Sequence, residues 1–192
     1  VIEFEAWPST PRLFRDMVIT EKIDGTNAAI VIDESGGFAC QSRKRLVTPD
    51  DDNFGFAAWA HERREELTAV LGPGRHFGEW WGKGIQRGYG LTERRFSLFN
   101  VQRWGLAADG PLYSTWPAGL SVVPMLHTGP FSLLGVEVVK NRLRISGSQA
   151  APGFKDPEGV IVWHTAARQK FKSTYEDCDD FGGGGKTWQR AS

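Results

Sequence analysis

The sequence predicts an α+β fold of antiparallel sheets with flanking helices. Glycine takes 23 of 192 positions, well above the usual share of about 7%. Aromatic residues make up 12%, eight of them Trp. Short apolar runs bounded by turn residues recur along the chain, and a single long stretch has helical spacing. Together these describe a strand-rich fold with many turns. Hydrophobic residues reach 40%, enough for a core, which excludes a chain disordered throughout. At about 150 residues per domain, the length fits one domain and excludes two large ones.

Residues 1–14, VIEFEAWPSTPRLF, mix apolar residues with two prolines and read as an irregular lead-in. MVIT (17–20) and AAIVIDESG (28–36) are strand-like and flank KIDGTN (22–27). Gly36-Gly37 turns the chain into a third strand, FACQSRKRLV (38–47), and TPDDDN (48–53) is a loop or helix lead-in. Residues 54–72 place Phe56, Trp59, Ala60, Leu67 and Leu71 at helical spacing and end in Gly-Pro-Gly, so one helix is expected there. RHFGEWW (75–81) is a strand leading into the glycine-rich loop GKGIQRGYG, and FSLFNVQRW (96–104) is another strand. LSVVPML (120–126) reads as strand or loop, and FSLLGVEVVKN (131–141) as helix or strand. FKDPEGVIVWH (154–164) and ARQKFK (167–172) form a final turn and strand pair. Residues 175–192 are acidic, then glycine-rich, the composition of a flexible tail.

With 23 basic and 23 acidic side chains the formal net charge is zero. That argues against a generally basic coat for nucleic acid but leaves room for a local basic groove. No apolar run approaches the roughly 20 residues that span a bilayer, so no membrane association is expected, and no secretory signal is read. Cys40 and Cys178 cannot make a disulfide framework or a zinc site, so a reduced, cytoplasmic protein is expected. His61, His76, His127 and His164 are scattered without metal-ligand spacing. Cys178 lies among four acidic residues, a setting against a reactive thiolate. GGGGKT (182–187) suggests a phosphate loop, but Asp180 stands where that motif needs glycine and no strand precedes it.

KIDGTN carries the chemistry. A lysine becomes a nucleophile only when burial or nearby cations favour its neutral amine. Lys-x-Asp-Gly alone equally describes a surface turn with an incidental lysine. Further segments follow in order. FGEWWG (77–82) sets Glu79 in an aromatic strand, FSLFNV (96–101) offers Phe99, and EGVIV (158–162) opens with Glu158. KFK puts Lys170 and Lys172 on one strand face, because side chains alternate. Taken singly, Phe99 fits a core residue, Glu79 a half-buried edge residue, Glu158-Gly159 a turn and the KFK lysines a solvated face.

The ordered set resembles the covalent nucleotidyltransferase superfamily of ATP-dependent DNA ligases, RNA ligases and mRNA capping enzymes, and it extends from Lys22 to Lys172. Within it, TEKIDGTN followed by an apolar strand is similar to RNA ligases of the double-strand-sealing type. Asn27 stands where DNA ligases usually carry Arg. QSRKR resembles the next motif, with Arg43 the best match and Arg45 a second candidate, and DNFGFAAW resembles the segment after it. The 20 residues from Glu79 to Phe99 agree with the family's spacing, while the 12 from Glu158 to Lys170 are fewer than the group usually has.

The resemblance implies a nucleotidyltransferase (ATP-grasp-like ligase adenylation) domain with the nucleotide between the sheets. It implies an ATP-dependent RNA ligase in three steps. Lys22 takes AMP from ATP, AMP passes to an RNA 5′-phosphate, and a 3′-hydroxyl displaces it, in a nicked duplex or other paired ends. Lys22, Lys170, Lys172 and Glu79 would be catalytic. Glu21, Ile23, Asn27, Arg43, Glu79, Phe99, Lys170 and Lys172 would surround the nucleotide, Phe99 stacking on adenine and Arg43 holding phosphate. Glu158 and Glu79 would face Mg2+ or Mn2+. All steps are in-line displacements at phosphorus, so positioning and charge neutralisation do most of the catalytic work. A minimal DNA ligase, a GTP-using capping enzyme and a non-catalytic nucleotide-binding module are the alternatives. The last motif ends 20 residues before the C-terminus. The expectation is therefore an adenylyltransferase domain over 1–174, a monomer with no OB-fold or other C-terminal domain. Such a domain would self-adenylate but depend on an accessory protein for firm RNA binding.

Overall fold

The computed structural model describes residues 2–108 and 115–176, and most of the predicted tail lies outside them. Ten strands and four α-helices occur among the described residues. The strands are β1 (Asp16–Lys22), β2 (Thr26–Ile32), β3 (Phe38–Ser42), β4 (Leu46–Val47), β5 (Gly74–Gly82), β6 (Arg94–Leu98), β7 (Leu120–Val122), β8 (Met125–Pro130), β9 (Gly159–His164) and β10 (Gln169–Thr174). The helices are α1 (Phe56–Glu62), α2 (Arg64–Leu71), α3 (Val101–Ala108) and α4 (Leu133–Ser146). They make an α+β fold of two antiparallel-rich sheets, as the composition predicts. One sheet has the order β4-β3-β2-β5-β6-β7, the other β10-β9-β1-β8. The pairing of β6 with β7 is parallel. No helix among the described residues is long and apolar enough to cross a membrane.

Each sheet buries one face under helices. On the six-stranded sheet, Ala28, Ile30, Ile32, Trp80, Phe96 and Leu98 pack against Phe56, Ala57, Ala60, Leu67 and Leu71 of α1 and α2. The Trp80 indole N–H donates to the Phe54 carbonyl at 2.8 Å, so this large ring is buried without an orphaned donor. Cys40 lies in the same core, where burial pushes its thiol up to about 12 and leaves it inert. On the four-stranded sheet, Met17, Ile19, Val160 and Val162 pack against Val136, Val139 and Leu143 of α4. A third cluster, Ile23, Trp81, Tyr89, Val123 and Ala151, draws on the segments that join the two sheets and closes one end of the space between them.

Three elements differ from the sequence expectation. The single helix over 54–72 breaks into α1 and α2 at Arg63, whose φ of −109° and ψ of 21° leave the helical region. Its buried side chains fall into two groups, Phe56 to Ala60 and Leu67 with Leu71, and the polar stretch between them has no apolar residue to hold it on the sheet. FACQSRKRLV divides into β3 and β4, because Ser42 N–H bonds to the Arg45 carbonyl at 2.8 Å and closes a hairpin turn. The strand expected over 96–104 ends at Leu98 and α3 follows. There the Asn100 side chain accepts from the Arg103 N–H at 3.1 Å, as a helix N-cap does. Residues 131–141, ambiguous in sequence, form α4, with Ser132 Oγ accepting from the Gly135 N–H at 3.1 Å.

Candidate active site

Strand alternation aims the functional side chains. On β1, Met17, Ile19 and Glu21 face α4, which leaves Val18, Thr20 and Lys22 to face the other sheet. On β5, His76, Gly78 and Trp80 face the helices, and Arg75, Phe77 and Glu79 face β1's open side. Between these faces lies a cleft of about 990 Å3, lined by Lys22, Asn27, Arg43, Glu79, Phe99, Glu158, Lys170 and Lys172. Residues from six separate segments therefore converge on one space.

Lys22 ends β1 opposite Gly159 of β9, so Glu158 lies beside it. Lys22 Nζ donates to Glu158 Oε2 at 2.5 Å, with both side chains partly shielded from solvent. Asn27 and Glu79 are paired on β2 and β5, and Asn27 Nδ2 donates to Glu79 Oε2 at 2.8 Å. Burial pushes the Glu79 carboxyl up to about 7, against the opposing effects of Lys22 and of the Asn27 hydrogen bond. Burial also raises Glu158 above its ordinary value, although the hydrogen bond and charge of Lys22 favour its ionised form. Two carboxylates thus share one nearby ammonium, a donor set short of positive charge.

Lys170 and Lys172 stand opposite Trp163 and Ile161 on β9 and share the cleft wall with them. Lys170 Nζ is 5.8 Å from the Phe99 ring centroid and 5.9 Å from the Trp163 ring. Phe99 packs on the third cluster with part of its surface in the cleft. Arg43, in the turn after β3, lines the cleft, whereas Arg45 turns away and binds Asp51 Oδ2 at 2.6 Å. Of the two sequence candidates the geometry therefore singles out Arg43.

Glu21 and Ile23 border the site differently. Glu21 is buried, and its carboxylate accepts from Ser148 Oγ at 2.6 Å and from the N–H groups of Gln149 and Ala150 at 2.8 and 3.0 Å. Its side chain is committed to the segment after α4, on the opposite face from Lys22. Ile23 is buried with Trp81 and Tyr89 and forms part of the cleft's closed end.

The rest of KIDGTN explains how Lys22 is held. A Cβ on Gly25 would come within 2.5 Å of the Trp80 carbonyl and 2.7 Å of Trp81 Cβ, so only glycine lets the loop lie on β5. The Asp24 N–H donates to the Tyr89 hydroxyl at 2.8 Å. Arg87 joins three acids: its Nε lies 3.2 Å from Asp24 Oδ2, Nη1 donates to Asp156 Oδ2 at 2.5 Å and Nη2 to Glu176 Oε1 at 2.6 Å. The Nε contact is an ion pair without hydrogen-bond alignment. One guanidinium so ties the loop after Lys22 to the segment before Glu158. Neither Arg87 nor the cleft residues Arg75, Phe77, Arg103 and Trp163 stand out in sequence. Their strand and loop types are readable, but which face or partner they meet is set by pairing.

The model of the RNA ligase family matches residues 15–176. No curated protein matches the chain. Among solved structures it is similar to RNA ligase of Naegleria gruberi in several forms. A variant with ATP and Mn superposes with a TM-score of 0.64 at 16% identity, covering 88% of this chain and 52% of that one. A variant with AMP and Mn gives 0.63 at the same identity and coverage. The ligase with PPi gives 0.60 at 16% identity, covering 86% and 51%. At such identities the likeness is one of fold, and this chain spans about half the length of those proteins. The shared fold is the nucleotidyltransferase fold of two antiparallel-rich sheets, and the family match extends over nearly all the described residues: the chain belongs to the RNA ligase family.

Proposed function

We propose that this chain is an ATP-dependent RNA ligase of the double-strand-sealing kind, working through a covalent lysyl-AMP on Lys22. The observation that carries the reading is the convergence of Lys22, Asn27, Arg43, Glu79, Phe99, Glu158, Lys170 and Lys172 on one cleft between the sheets. The relatives solved with ATP or AMP and Mn support nucleotide and metal as ligands of this cleft.

In the first step Lys22 Nζ attacks the α-phosphorus of ATP. A bond from nitrogen to phosphorus forms, and the bond to the pyrophosphate oxygen breaks. Glu158 Oε2 accepts a hydrogen bond from Nζ at 2.5 Å and is within reach of the proton the amine must release. Lys170 and Lys172 stand on the same wall of the cleft as Lys22, two strands away, to neutralise charge that builds on the phosphate oxygens. Phe99 offers its ring to adenine, and Arg43 a fork for phosphate. The pair of carboxylates sharing one ammonium suits a divalent ion, so Glu79 and Glu158 would hold Mg2+ or Mn2+, which supplies charge neutralisation at phosphate. AMP then passes to a 5′-phosphate, and a 3′-hydroxyl displaces it.

The test is incubation with α-labelled ATP and a divalent cation, followed by denaturing electrophoresis. Label retained on wild type and absent from Lys22→Ala is the expected result; an unlabelled wild type refutes the reading. Nicked duplexes with RNA or DNA at the 3′-hydroxyl side then separate RNA from DNA ligation, and GTP in place of ATP separates capping chemistry.

A further inference from the structure

Beyond the residues around Lys22, the cleft has an outer reach that the adenylation step does not use. Along β5, Trp81, Glu79, Phe77 and Arg75 follow at alternate positions from the closed end toward the open rim. Phe77 is 51% exposed, while His76 and Gly78 on either side are buried. Arg103 of α3 lines the same reach. Its guanidinium lies 4.5 Å from the Trp104 ring centroid and donates to the Leu71 carbonyl at 3.0 Å. Neither Arg75 nor Arg103 has a carboxylate partner among the described residues, whereas Arg45 and Arg95 each hold one and Arg87 three. Across the whole cleft, six cationic side chains face the carboxylates of Glu79 and Glu158, in a chain whose net charge is zero.

An exposed aromatic ring in one cleft with cations that lack carboxylate partners is the combination that holds unpaired nucleic acid, base on ring and phosphate on cation. The cleft of about 990 Å3 includes this outer reach as well as the residues around Lys22. We propose that Phe77, Arg75 and Arg103 form a subsite for an unpaired nucleotide of the RNA substrate, outside the paired ends that are sealed. Phe77 stacks on the base, and the two guanidinium groups hold the adjoining phosphates. The proposal rests on the RNA ligase reading above.

The test is the affinity of a short single-stranded RNA with a 5′-phosphate, titrated at several salt concentrations against wild type, Phe77→Ala, Phe77→Trp and Arg75→Ala. Loss of one base–aromatic stack weakens Phe77→Ala by about ten- to a hundredfold with an unchanged salt slope. Phe77→Trp keeps a ring and retains affinity, which separates stacking from misfolding. Arg75→Ala lowers the slope of log affinity against log salt by about 0.7, the value of one single-strand phosphate contact. Wild type that does not bind this RNA at low salt, or equal affinity in all four proteins, overturns the subsite. A raised KM for ATP with unchanged RNA affinity also overturns it, by assigning these residues to the nucleotide's own phosphates. Wild type that forms no covalent adenylate removes the ligase reading itself, a separate failure.

Discussion

Asn27 and Glu79 face each other across β2 and β5, and the Asn27 amide donates to Glu79 Oε2 at 2.8 Å. A neutral donor stabilises the carboxylate only in part. The Lys22 ammonium bonds to Glu158, so it too offsets the burial of Glu79 incompletely.

That imbalance predicts a pH-dependent fold. Burial raises Glu79 from an ordinary 4.5 to about 7. Between those values the folded protein keeps a proton that the unfolded chain has released, so stability falls as pH rises across the window. Glu79→Gln removes the titrating group and keeps an acceptor for Asn27. It should be more stable than wild type above pH 7 by up to about 3 kcal/mol, and the gain should vanish towards pH 4.5. Thermal melts of both proteins over that range check this; a difference independent of pH would contradict it.

Lys170 and Lys172 share the cleft wall with the nucleophile, two strands away on the same sheet. Replacing either with Ala should slow self-adenylation by about 10²- to 10³-fold, the cost of removing one preorganised group that stabilises transition-state charge. Single-turnover labelling measures it. A change confined to the KM for ATP would show that they bind ground state and transition state alike.

Much of the candidate site was legible in sequence because its motifs are local. KIDGTN, FGEWWG, EGVIV and KFK each bring their residue to the cleft from a strand or a strand edge. What remained hidden depends on pairing across the chain. Arg43 and Arg45 are two residues apart, and only the hairpin closed by Ser42 and Arg45 shows that one lines the cleft and the other meets Asp51. Glu21 adjoins the nucleophile in sequence, yet alternation turns its carboxylate to the opposite face. FSLFNVQRW carries apolar residues suited to either element, and the Asn100 cap, not the apolar pattern, marks where strand gives way to helix. Arg87 was invisible as a site residue, because its three acids are scattered from Asp24 to Glu176.

Glu21→Ala should destabilise the fold by about 3 kcal/mol, since it leaves the Ser148 hydroxyl and two N–H groups of a buried segment without their charged acceptor. The residual folded protein at low temperature should keep its KM for ATP. A raised KM with unchanged stability would instead place the Glu21 carboxylate at the nucleotide.

Arg87→Ala should cost about 1 kcal/mol, because Asp156 and Glu176 are largely exposed partners and Asp24 is the shielded one. In a chain of this size that lowers Tm by about 2–4 °C. Self-adenylation should fall further than stability explains, through looser alignment of Lys22 with Glu158. Arg87→Lys should not restore it, since one ammonium cannot replace a fork that meets three carboxylates. Full activity in Arg87→Lys would contradict the clamp.

The intact mass of the protein after incubation with ATP and Mg2+ tests the central claim most directly. A species heavier by one AMP is expected, the adduct mapping to the peptide that contains Lys22 and disappearing in Lys22→Ala. An unmodified wild type, or an adduct that persists in Lys22→Ala, would contradict it.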